Sequence, residues 1–196
     1  MNINKKRILK ALEDIMFDVE IVDFNTMVEG VARLPFDRQY AICTYPKGRK
    51  SKPEVPYIGG EKYTLVPNSE VLAPLVDVLI EKIPNLRVQV INSSNEFFYV
   101  NFYSVKPDKI NNEHFAPMVR FINSYNGKVK AKAKACLYRV DKEGNEIFLN
   151  NGSTFYEFKH HSESGSFAIS QIADNVDKML FDFNTITEKV KKLKTI

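Results

Sequence analysis

Apolar residues recur at helical spacing in three stretches of the chain and at strand spacing between them. Ile8, Leu12, Ile15, Met16 and Val19 fall on one face of a first helix with Asn4 as its cap. Lys5, Lys6, Arg7 and Lys10 crowd its start, where the helix dipole disfavours them, so this helix must be made by packing. Leu72, Leu75, Val76, Leu79 and Ile80 predict an internal helix after Pro67-Asn68-Ser69, with Pro74 in its first turn and Pro84 just past its end. Ile169, Ile172, Ala173, Val176, Met179, Leu180, Phe183, Ile186, Val190 and Leu193 predict a C-terminal amphipathic helix about 40 Å long, capped by Ser166.

Between the helices the period drops to two. Gln39 to Tyr45, Glu61 to Val66, Leu86 to Ile91, Glu96 to Val105 and Thr154 to Lys159 read as strands. Turns are signalled at Asn92-Ser93-Ser94-Asn95, Gly144-Asn145 and Asn150-Asn151-Gly152. From Ile21 to Leu34 the pattern is mixed, with Gly30 a turn, and Pro107 to His114 is a polar connector. The expected fold is therefore α+β: an antiparallel β-meander with an N-terminal helix, one internal helix and a long C-terminal amphipathic helix. Residues 1–165 form one domain and 166–196 the helix that packs on it or on a partner.

The centre of the meander is Pro117 to Val140, two extended runs joined at Asn126-Gly127, the dipeptide best suited to a type I′ turn. A two-residue turn there places Tyr125 opposite Lys128, Asn123 opposite Lys130, Phe121 opposite Lys132 and Val119 opposite Lys134. One face then interleaves four lysines with Phe121 and Tyr125; the other carries Arg120, Ile122 and Ser124 against Val129, Ala131 and Ala133. Alternate residues of a strand lie about 7 Å apart, near the phosphate spacing of an extended single strand.

Charge sharpens this picture. The chain has 28 basic and 24 acidic residues, and six of the basic ones lie between Pro117 and Val140 with no acid among them. A second stretch, Arg38 to Lys52, adds five basic residues and no acid, including Arg49, Lys50 and Lys52 in a Pro/Gly-rich loop. What is left holds 17 basic residues against 24 acidic ones, so positive charge is concentrated in two places. Such stretches suit a polyanion: lysines follow phosphates while aromatic rings stack on bases. They equally suit a solvated connector and an edge hairpin whose lysines deter aggregation.

Other chemistry is scarce. Phosphate-binding glycine loops, zinc-spaced cysteine pairs and HExxH are missing, and His160-His161 point to opposite faces of a strand. Cys43 and Cys136 sit in apolar runs and read as core thiols in a reducing cytoplasm. No metal, cofactor or catalytic set is expected, nor any membrane span or signal peptide.

Tyr63 to Glu81 (YTLVPNSEVLAPLVDVLIE), Phe121 to Val140, Asn151-Gly152 and Lys159-His160 together resemble the phage- and plasmid-borne DUF932 family. Asn123-Ser124, Asn126-Gly127, the alanine run and Tyr138-Arg139-Val140 follow the family's order. Val140-Asp141-Lys142-Glu143-Gly144 departs from its usual Val-Cys-Asn-Gly, and the chain before Tyr63 does not match. The resemblance implies a bacteriophage or mobile-element setting and no activity.

The function expected is thus a non-enzymatic nucleic-acid-binding accessory protein of a phage or plasmid, acting in DNA replication or recombination in the host cytoplasm. Single-stranded nucleic acid is the favoured partner, through Lys128, Lys130, Lys132, Lys134, Phe121, Tyr125, Arg49, Lys50 and Lys52. A viral structural or assembly protein, present in the virion, is the alternative. So is an inhibitor of a host defence complex that meets an acidic protein with the same surface. Phe183, Ile186, Val190 and Leu193 extend the C-terminal stripe past what a small sheet covers and are expected at a homo-oligomer interface.

Overall fold

A computed structural model describes residues 3–27, 39–60, 63, 65–94, 96–110, 113–141, 143–149, 154–158 and 169–192. The first helix, α1 (Ile3–Leu12), is shorter than its apolar stripe suggested. It passes through one tight turn, Glu13–Ile15, into strand β1 (Asp18–Asp23), where Val19 pairs with Thr44. The alternation in DVEIVD continues the helical stripe in phase, which is why the helix looks longer in sequence than it is. Asn4 lies inside the helix, and its side-chain amide reaches the Leu86 carbonyl at 3.5 Å instead of capping. A short helix, α2 (Phe24–Met27), follows, and Gly30 lies outside the described residues.

β1, β2 (Tyr40–Tyr45) and β3 (Glu54–Gly59) form a three-stranded antiparallel sheet in that order; β2 is the strand expected over Gln39 to Tyr45, and the pattern announced neither β1 nor β3. Tyr63, Leu65 and Val66 belong to no strand, contrary to the reading of Glu61 to Val66. Tyr63 and Val66 are instead buried in the core as the chain enters α3 (Asn68–Lys82).

Pro74 lies in the interior of α3, not in its first turn. It cannot donate to the Glu70 carbonyl, a loss the helix tolerates because Val71, Leu72, Leu75, Val76 and Leu79 are all buried. The residue before this helix is Pro67, which offers no side-chain cap. The need is met from far along the chain: the Asn68 amide donates to the Tyr125 hydroxyl at 2.8 Å.

The main sheet is antiparallel throughout. Its order is β10 (Thr154–Phe158), β8 (Ala131–Val140), β7 (Glu113–Ser124), β5 (Phe97–Ser104), β4 (Leu86–Ser94). β6 (Asp108–Ile110) extends the β5 side of β7, and β9 (Glu146–Leu149) extends the β10 side of β8. Pro117, without an N–H, falls between the β5 and β6 ladders, where β7 has no registered partner on that side. The β8–β9 turn is the one expected at Gly144-Asn145. Gly144 takes φ +85°, and the Asp141 carboxylate accepts from the Asn145 amide at 2.8 Å.

One face of the main sheet presents Phe98, Val100, Phe102, Val119, Phe121, Ala131 and Ala133 to a core shared with Leu12 of α1 and Leu72 and Leu75 of α3. Phe17 and Ile42 join the small sheet to the same core. The final helix, α4 (Ile169–Lys192), adds Val176 and ties to α3 through Lys82 and Asp177 at 2.5 Å. The expected cap Ser166 and the turn at 150–152 lie outside the described residues. Among the described residues no helix is long and apolar enough to cross a membrane.

Candidate nucleic-acid interface

The two runs around Asn126-Gly127 do pair, but one residue out of the expected register. Ile122 stands opposite Lys132, Phe121 opposite Ala133, Arg120 opposite Lys134 and Val119 opposite Ala135. A slip of one residue sends every side chain to the other face. Phe121 and Tyr125, each 0 % exposed, therefore belong to the core and cannot stack on bases, which corrects their assignment to the binding face. The cause is Tyr125 itself. Its ring packs edge-on against Phe17 and Phe98, at 5.9 and 5.3 Å between centroids, while its hydroxyl caps α3. Burial raises its pKa well above the ordinary phenol range, despite the Asn68 amide.

Asn123 completes this anchor, donating to the Val66 carbonyl at 2.8 Å and to the Asn68 side chain at 2.9 Å. Asn68 in turn donates to the Ile15 carbonyl at 2.9 Å. With Tyr125 turned inward, the connection widens from two residues to Tyr125–Lys130. Ser124 closes it by accepting from the Val129 amide at 3.0 Å and donating to the Val129 carbonyl at 2.9 Å. Gly127 takes φ +72°, as an Asn-Gly step should, though not within a two-residue turn.

The lysines consequently share a face with different neighbours. One cross-sheet row runs Gln89, Asn101, Arg120, Lys134, Thr154; the next runs Ile91, Tyr99, Ile122, Lys132, Glu157. Arg120 donates from Nε to the Asn101 side-chain oxygen at 2.7 Å, and Asn101 donates to Gln89 at 3.0 Å. The Arg120 guanidinium also lies 5.9 Å from the centre of the Tyr99 ring, which packs edge-on against Phe97 at 4.7 Å.

Phe97, Tyr99, Lys132 and Lys134 are half-buried, Arg87 is exposed, and Met118 and Ile122 are buried between them. A basic, aromatic face exists, but its rings are Phe97 and Tyr99. Their signal was in the chain: in β5 one face carries Phe97, Tyr99 and Asn101 and the other Phe98, Val100 and Phe102, and Arg120 interrupts the apolar run Met118 to Ile122 of β7.

Lys128 and Lys130 are exposed on the loop, off the paired part of β8. The other basic stretch is the β2–β3 loop, where Lys50 and Lys52 are exposed. Arg49 is not a free cation, contrary to its expected role: it pairs with Asp18 and Glu20, both at 2.9 Å, and lies 5.3 Å over the Tyr45 ring. Tyr45 donates to Glu20 at 2.5 Å. That bond, with Arg49 beside it, lowers the Glu20 pKa, and the same bond pushes the Tyr45 phenol up to about 12.

Phe183 is 9 % exposed within its own chain and so, contrary to its expected role, offers little surface to a partner. The side chains of Ile186 and Val190, and Leu193 altogether, lie outside the described residues. Cys43 and Cys136 are buried thiols, not joined in a disulfide. Among the described residues no three His, Cys, Asp or Glu side chains gather as a metal would require. Compared with protein-family models, curated proteins and solved structures, the chain matches none of them. The likeness to DUF932 rests on the sequence motifs alone.

Proposed function

We propose that this protein binds single-stranded nucleic acid, without catalysis, on the face of the main sheet that turns away from α1 and α3. The bacteriophage or plasmid setting is carried over from the family resemblance. One observation carries the binding proposal: Phe97 and Tyr99 share that face with Arg120 on the neighbouring strand and with Lys132 and Lys134 one strand further on. Rings at such a surface take bases of any sequence, and the cations take phosphates.

The test is a titration of a labelled oligo-dT by fluorescence anisotropy across a salt series. Lys132→Gln with Lys134→Gln should weaken binding and flatten the log–log salt slope by about 0.7 for each phosphate no longer neutralised. Tyr99→Leu should cost about 1–3 kcal/mol of binding with the slope unchanged. Wild-type protein that fails to bind at low salt would end this reading.

A further inference from the structure

Arg120 lies on this face with only part of its hydrogen-bonding capacity used. It is 8 % exposed, and its Nε hydrogen bond to Asn101 goes to a neutral amide. Among the described residues no carboxylate is paired with it, and its two Nη nitrogens have no hydrogen-bond partner. Its direct cross-strand neighbour is a second cation, Lys134. Like charges set opposite each other on one face are unfavourable, and among the described residues no counter-charge offsets this pair. The row that contains both holds no acidic residue on any of its five strands, whereas the next row places Glu157 in register with Lys132.

The fold also fixes the direction in which the guanidinium can act. Nε is held by Asn101, Asn101 is held by Gln89, and the plane is set beside the Tyr99 ring. What is left is the pair of Nη donors, a fork whose spacing matches two oxygens of one tetrahedral anion. We infer that the Arg120–Lys134 row is a binding site for a phosphate oxyanion, gripped by the Nη fork of Arg120 with the Lys134 ammonium beside it. The inference deepens the nucleic-acid reading and rests on it for the source of the phosphate, which is then the backbone of the bound strand. Arg120 supplies geometry and Lys134 charge, so the two fail differently when changed.

The experiment compares thermal unfolding in inorganic phosphate and in chloride at equal ionic strength, for wild type, Arg120→Lys, Arg120→Gln and Lys134→Gln. Phosphate stabilises most proteins slightly by exclusion, so the readout is the difference between the rise in wild type and the rise in each substituted protein. Phosphate should raise the wild-type melting temperature, and Arg120→Gln and Arg120→Lys should abolish most of that rise, since a lysine keeps the charge and loses the fork. Lys134→Gln should reduce it in part. The same proteins are titrated with labelled oligo-dT, where Arg120→Lys should weaken binding about tenfold, as expected when a bidentate, charge-assisted pair is removed.

A phosphate increment removed by Arg120→Lys, in a wild type that ignores oligo-dT, keeps the anion site, assigns it to free phosphate, and ends the nucleic-acid reading. Oligo-dT binding unchanged by Arg120→Lys, with no phosphate increment in wild type, overturns the site and leaves the nucleic-acid reading standing. An increment retained in all three substituted proteins places phosphate elsewhere and overturns the site as well. If Arg120→Gln does not fold, the wild-type increment and Arg120→Lys decide the outcome.

Discussion

Arg49 and Arg120 come from the two basic stretches of the chain, and folding treats them in opposite ways. Arg49 stands on an exposed loop with two carboxylates at 2.9 Å, while Arg120 is nearly buried and holds a neutral amide. In sequence the loop around Arg49 looks the more cationic. Its acids, Asp18 and Glu20, arrive from β1, 31 and 29 residues upstream, and cancel it. Arg120 sits in the apolar run VRFIN and looks like a core residue with a stray charge. Local charge density therefore overstates one site and hides the other. An available cation is a property of the tertiary pairing, not of the segment.

The comparison breaks most decisively at Asn101. Asn101→Leu removes the side-chain acceptor that holds a buried cation, and it should destabilise the fold by about 2–4 kcal/mol in urea denaturation. Adding Arg120→Met to that variant should recover most of the loss, because charge and acceptor then leave together. A loss well under 1 kcal/mol in the single variant would mean that Arg120 is far better hydrated than its burial implies.

A smaller effect tests whether the two regions are joined. A side chain at Gly127 would have to adopt φ +72°, and its Cβ would lie 2.7 Å from the Tyr57 ring of the small sheet. Gly127→Val should cost about 2–3 kcal/mol, part of it backbone strain and part collision. Tyr57→Ala in the same chain should relieve the collision and leave the strain. If it relieves nothing, the hairpin tip does not rest on the small sheet. Tyr125→Phe, which removes the acceptor for the Asn68 amide but keeps the ring, should cost about 1 kcal/mol.

How much of this could be read in advance follows from what each signal measures. Strand and helix periods report burial on one element, so β2, β5, α3 and the β7–β8 pair were legible from their patterns. β1 was not, because Val19 continues a helical stripe while actually pairing with Thr44. The register of the central hairpin was missed for a physical reason: Asn-Gly reports only that a φ > 0 residue is available. What set the register was Tyr125, drawn inward by Phe17, Phe98 and the open amide of Asn68, and none of these is adjacent in sequence.

The same distance hid the candidate site. The lysines of β8 were visible, but Phe97, Tyr99, Asn101 and Arg120 meet them only through the sheet order β8-β7-β5. A strand's alternation identifies its two faces without saying which one points at helices. The α+β class and the antiparallel pairing survive that ambiguity. The choice of aromatic residues did not.

The smallest effects belong to the compensated side of the comparison, and they are read by pH. Glu20 is held below its ordinary value near 4.5, so its contribution is present above that value and is lost as pH falls through the depressed one. Tyr45 is raised from 10.0 to about 12, so its contribution is present below pH 10 and is lost as pH rises towards 12. Both groups are in reach of water, and solvent screening leaves only a slight change in the melting temperature at either end.

The Tyr45 titration itself is the sharper measurement, followed by the ring carbon shift of labelled tyrosine. In Glu20→Gln its midpoint should fall back towards 10, because a charged acceptor has become a neutral one. In Arg49→Gln it should stay high, since the bond to Glu20 remains and a neighbouring positive charge that lowered it is gone. Arg49→Gln should also leave the salt slope of oligo-dT binding unchanged, since a charge already held by Asp18 and Glu20 neutralises no phosphate and displaces no counterion from the strand. A slope that flattens in Arg49→Gln as it does in Lys134→Gln would mean that the acids let go when nucleic acid arrives, and the two arginines would then belong to one surface.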